Sequence, residues 1–153
     1  MARRFIFRFE TLLRIRRQRE DEHKRIVAAR VREIQKTREQ MAALDRQIQD
    51  ELHAIRSGQQ PGQIDMQQVV RHRHWLGRLH KAVLDGQARL RFLEARLVQE
   101  RAALAEAAKQ CRIMEKLRER QELRHLQEQE RLETRVTDDL ATIRYVFDAQ
   151  ATP

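Results

Sequence analysis

The chain has 153 residues, of which 36% are charged and 5% aromatic, and carries a formal net charge of +9. So few large apolar side chains exclude a thick core, and a single cysteine excludes an internal disulfide or a cysteine-based zinc cluster. Ala, Glu, Leu and Arg dominate a chain with four glycines and two prolines, a composition of long helices or coiled coil.

Disorder is the competing reading for a chain this polar; the sustained periodicity described below argues against it. No apolar run approaches the roughly 20 residues of a membrane span, and Met1–Arg8 is not followed by the apolar core of a signal peptide. The expectation is a soluble, intracellular protein suited to a reducing cytosol.

Residues 1–56 contain neither Gly nor Pro and read as one helix over about 4–56. Its apolar stripe starts at Phe5, Phe9 and Leu12, with Leu13 beside it, and thins where Arg16, Arg19 and His23 fall near the seam. It recovers as Val27, Val31, Ile34, Met41, Leu44, Ile48, Leu52 and Ile55, on one helical face.

A loop over about 57–64 follows, Ser57-Gly58-Gln59-Gln60-Pro61-Gly62 being the only real break. Gly58 is placed to take a left-handed conformation, and Pro61 cannot continue a helix. Asp65 reads as the N-cap of a second helix over about 65–147, with Gln68 in the capping-box position.

That helix carries the strongest pattern in the chain. Val69, Leu76, Val83, Leu90, Leu97, Leu104 and Cys111 recur every seven residues. His72, Leu79, Gly86, Leu93, Glu100, Ala107 and Met114 fall three positions later. This is the a/d signature of a coiled coil, and it demands a partner helix.

The short loop makes the first helix that partner. The expected fold is all-α: two long helices in an antiparallel coiled-coil hairpin, one domain over residues 1–153. The helices would be roughly 80 and 120 Å long. Folding about residue 61 sets Ile48 opposite the Leu76 region and Phe5 opposite about Leu117. Everything after about Arg120 is then a C-terminal overhang. Its Leu132, Val136, Leu140, Ile143 and Phe147 form a stripe. A fraying helical tail, a helix face awaiting a partner, and coverage by a second copy are all open for it.

No constellation suggests catalysis. His72 and His74 are two residues apart on different helix faces, and flanking arginines disfavour a metal. Cys111 falls at an a position, as a buried small hydrophobe would. A two-helix rod has no concave pocket in which to desolvate paired carboxylates, and no glycine-rich phosphate loop is present. The chain reads as a binding protein without enzymatic activity or cofactors.

Basic residues cluster at Arg3, Arg4, Arg8, Arg14, Arg16, Arg17 and Arg19, and again at Arg71, Arg73, Arg78 and Lys81. A solvated charged face is the simplest reading. Nucleic-acid binding is disfavoured by the interleaved Glu10, Glu20, Asp21 and Glu22 and by the lack of an aromatic stacking row. An acidic protein surface suits these faces better. Trp75, beside the a-position Leu76, either covers the seam edge or stands exposed as an interface anchor.

The opening Phe5-Ile6-Phe7-Arg8-Phe9-Glu10-Thr11-Leu12-Leu13-Arg14-Ile15-Arg16, with Glu20-Asp21-Glu22 after it, resembles the start of FliJ-type flagellar export proteins. Leu79-His80-Lys81-Ala82-Val83 and Glu115-Lys116-Leu117-Arg118-Glu119-Arg120 resemble further segments of that family, so the likeness covers both helices. The resemblance implies a two-helix stalk of the type III export ATPase complex at the cytoplasmic face of the membrane. Its end with both termini would sit in the hexameric ATPase ring, its hairpin end would reach the membrane export gate, and it would also bind export chaperones.

Carried over residue by residue, the gate-binding surface comprises Trp75, Leu79 and Ala82 with Ile48 and Leu52, although periodicity alone buries Leu79, Ile48 and Leu52. Gly86 departs from the polar residue often found at that spacing. The ring-facing set comprises Arg3, Arg4, Arg8, Arg14 and Arg16 with Leu132, Val136, Leu140 and Ile143. Stalk proteins of virulence type III secretion systems share the architecture and are the nearest alternative.

Overall fold

A computed structural model describes residues 4–58, 62 and 64–150, with side chains as far as Phe147. The fold is all-α: α1 spans Glu10–Gly58 and α2, the longer, Met66–Gln150. Contacts group the chain into two units, Met1–Glu20 with Ala107–Pro153, and Asp21–Glu106. In each unit α1 and α2 pack antiparallel.

In the unit of residues 21–106, pairs descend α2 as they ascend α1: Arg30 with Glu100 at 2.9 Å, Arg38 with Glu94 at 2.8 Å, and Glu51 with His72. The last pair agrees with the expected placing of Ile48 against the Leu76 region. Ile34, Thr37, Ile48, Leu79 and Leu93 are buried along this seam. On α1 the half-buried and buried positions recur as Val27, Ile34, Met41, Ile48 and Ile55, and between them as His23, Arg30, Thr37, Leu44 and Glu51. The first row is apolar and the second largely polar. Val31, Phe9 and Leu12, expected in the stripe, are more than a third exposed, as is Val69 on α2.

Arg30 fits within the seam because its guanidinium bonds Glu100 and, at 2.6 Å, Glu33. The hydrogen bond from Arg30 holds Glu100 below the usual carboxylate range, against the opposing effect of burial. Thr37 meets its own need by donating to the Glu33 carbonyl at 2.9 Å. Gly86 leaves room for Met41, whose Cγ would lie 3.0 Å from an added Cβ.

In the unit formed by the chain's ends, Leu13 is fully buried beside Phe7 and Cys111, and Phe5, Met114 and Leu117 pack around them. Residues 4–9 are not helical, which corrects the expected start near residue 4. Phe5 and Phe7 turn inward on either side of exposed Ile6, which a helix would not allow, and a turn at Arg8 and Phe9 leads into α1. The Glu10 N–H donates to the Phe7 carbonyl at 3.2 Å as the helix begins.

Phe5 reaches His125, their ring centroids 5.7 Å apart, instead of stopping near Leu117. The shift is already present in the helical pairs, since Glu10 meets Arg118 and Arg30 meets Glu100. Half-buried positions persist at Gln121, His125 and Gln129, so the exposed part of α2 begins at Glu130 and not near Arg120.

The connection contains one left-handed residue among those described. It is Gly62, with φ of 107°, and not Gly58, which ends α1 as a helical residue. Pro61 lies outside the described residues. Asp65 caps α2 as expected, its Oδ1 accepting from the Gln67 N–H at 2.9 Å and the Gln68 N–H at 3.4 Å. Asp65→Ala should cost about 1 kcal/mol, read by urea denaturation followed by circular dichroism. An unchanged midpoint would mean that the start of α2 does not contribute to the cooperative unit.

Candidate interaction surfaces

The basic start of the chain is mostly free to engage a partner. Arg4, Arg8 and Arg14 are exposed, while Arg3 lies outside the described residues. Arg16 is half-buried: it donates to Gln110 Oε1 at 3.1 Å, and its Nε is buried without a partner among the described residues. Arg17 and Arg118 are committed to Glu115 and Glu10, at 3.1 and 3.5 Å. Burial pushes the Cys111 thiol upward, with a hydrogen bond to Glu20 acting in the same direction.

In the same unit, α2 from Glu130 to Phe147 is exposed at every position. Leu132, Val136, Leu140, Ile143 and Phe147 are each more than half exposed. The spacing of this stripe differs from that of the seam. From His125 the series is 125, 129, 132, 136, 140, 143 and 147, so His125, Val136 and Phe147 repeat at eleven residues instead of seven.

In the other unit, Leu79 and Ile48 are buried in the seam and Leu52 and Ala82 are half-buried, whereas Trp75 is 42% exposed. The Arg78 guanidinium stacks 5.4 Å from the Trp75 ring centroid. Of the residues assigned to gate binding, Trp75 is exposed and Leu52 and Ala82 present only their edges. Leu79 and Ile48 can support that surface but cannot meet a partner while the seam is closed.

Opposite the seam, Met66, Val70, Arg73, Gly77, Lys81 and Leu84 follow at spacings of four, three, four, four and three. This face holds a shallow depression of about 490 Å³ lined by Val70, Arg73, His74, Gly77, Arg78 and Lys81. A Cβ added at Gly77 would meet nothing within 4 Å. The basic cluster was visible in the sequence. The apolar residues beside it were not singled out, although their helical spacing was there to be read.

Among the described residues no three or more His, Cys, Asp or Glu side chains come together as metal ligands. No helix there is long and apolar enough to cross a membrane.

Compared with known families, residues 5–148 match the flagellar FliJ protein family. The matched range takes in the extended Phe5 segment, both helices and the exposed stripe. The chain belongs to the FliJ family. It is therefore a flagellar export-related protein, one that interacts with components of the flagellar export apparatus. Comparison with curated proteins and with solved structures found no match. Within a FliJ-family chain, the two faces left uncovered are the natural places to seek those interactions.

Proposed function

We propose that the chain is the coiled-coil stalk of the type III export ATPase complex, coupling the ATPase ring to the membrane export gate and handing over export chaperones. It acts by binding alone, without catalysis or a cofactor. The observation that carries this reading is the apolar stripe of Leu132–Phe147, which none of the described residues covers. Large apolar residues in a row on an exposed helix mark a docking face.

Arg4, Arg8 and Arg14 extend the same end with positive charge toward the ring. Trp75, supported from beneath by buried Leu79 and Ile48, meets the gate. The match to flagellar FliJ supports the flagellar over the virulence form of this role. Nothing in the described faces favours nucleic acid.

Co-purification of the full chain with the hexameric flagellar export ATPase tests the proposal. Wild type should be retained, and Val136→Asp/Leu140→Asp/Ile143→Asp should lose at least tenfold in affinity while keeping its helicity. Retention of that variant at wild-type strength, or failure of the wild type to bind, would sink the reading. The variant should unfold at the wild-type denaturant midpoint, because the substituted side chains face water.

A further inference from the structure

The outer face of α2 between Met66 and Leu84 is left unexplained by the ring-to-gate reading and stands independently of it. From Met66 to Leu84 the chain has no Asp or Glu, yet it holds Arg71, Arg73, Arg78, Lys81 and three histidines. Asp65 and Asp85 bracket the stretch; Asp65 is engaged in capping the helix. Glu51 of α1 bonds His72 at the seam and not on the outer face.

Large apolar side chains stand among these cations. Ile64 is 76% exposed, Met66 66%, Val70 61% and Leu84 63%. Ile64 precedes the helix, Met66 and Val70 are one turn apart on it, and Leu84 lies about four turns further on, with the shallow depression around Gly77 between them. A protein partner would need a complementary concave wall for each. A lipid interface needs none, because acyl chains and headgroups deform around single apolar side chains while Arg and Lys extend to the phosphates.

We propose that residues 64–84 form an interfacial patch that lies directly on an anionic phospholipid surface. Met66, Val70 and Leu84 enter the boundary between headgroup and acyl chain, and Arg73, Arg78 and Lys81 pair with lipid phosphates. Positive charge alone would give weak, screened attraction, and apolar exposure alone would not select anionic lipid. Their interleaving on one face gives both.

Trp75 lies nine residues from both Met66 and Leu84, hence on the far side of α2, and binding is therefore read directly by co-sedimentation with vesicles. The full chain should sediment with phosphatidylglycerol vesicles and not with phosphatidylcholine vesicles. Arg73→Glu/Arg78→Glu/Lys81→Glu should weaken vesicle binding at least tenfold. Met66→Ser/Val70→Ser/Leu84→Ser should weaken it at least threefold, with helicity retained in both variants.

The proposal is overturned if phosphatidylglycerol vesicles do not carry the chain down, if the two lipids act alike, or if either variant binds as the wild type does. It also fails if polyglutamate or duplex DNA binds as tightly as the vesicles at equal charge. That result would assign the face to acidic macromolecules in place of a membrane.

Discussion

Leu13→Ala should cost about 3 kcal/mol, the largest loss expected from any single truncation in the chain. Leu13 is fully buried, and its neighbours Phe7 and Cys111 are 5% and 2% exposed. The cluster is only a few side chains across, with Phe5, Met114 and Leu117 as its margin. A cavity there has no second layer to collapse into it, so the lost contacts are not replaced. The loss should appear in urea denaturation as a lower midpoint with an unchanged slope. Protease cleavage near Phe7 should accelerate as well, because Leu13 anchors the extended segment. A cost below about 1 kcal/mol would show that the amino-terminal segment is held by something other than this cluster.

Arg30→Leu should have the largest effect of any charge change. It removes the cation from between Glu33 and Glu100, leaving a half-buried carboxylate without its main partner. Glu100→Leu strands Arg30 less completely, because Glu33 remains. Replacing both with Leu should recover most of the stability, since an apolar layer of similar volume suits the seam as well as an ion pair does. What the double variant should lose is acid sensitivity.

The folded state holds Glu100 below its ordinary value of 4.5, so the carboxylate contributes stability above that value. The contribution falls away as the pH drops through the lowered folded value. Denaturant midpoints measured from neutral pH down to about 3 should therefore decline less steeply in the double variant than in wild type. Parallel declines would show that Glu100 is not a source of the acid sensitivity.

The long apolar rows of α2 were enough to announce the hairpin, because seven-residue recurrence over that length has no use in a solitary helix. The partner row on α1 was harder to see. Arg16 and His23 stand where the apolar stripe thins, but Arg30 and Glu51 hold seam positions too, and a scan for apolar residues passes over those. Arg30 belongs to the seam only because Glu100 and Glu33 meet it there. Pairing between residues 70 apart in the chain is not a local signal, and this is why Val31 and Leu12 looked like better candidates.

The non-helical Phe5–Phe9 segment did leave a trace, an aromatic at every second position, hidden by its closeness to a strong helix. The shift of the covered length from near Arg120 to Gln129 follows the register of the seam, which neither helix displays by itself. Exposure of Trp75 separates the two readings open for it. The buried Leu79 and Ile48 follow the periodicity and not the transferred role.

The change from a seven- to an eleven-residue repeat at His125 bears on how the exposed stripe can be gripped. A heptad row drifts around its helix, and two such helices must wind left-handed to stay in touch. An eleven-residue row, at about 3.67 residues per turn, drifts the opposite way and calls for a right-handed wind. A helix that covers Leu132–Phe147 cannot simply continue the left-handed path of the seam. Phe5 closes over His125 at the residue where one rule gives way to the other. The chain's own cover thins out just past the point where the sense of winding reverses.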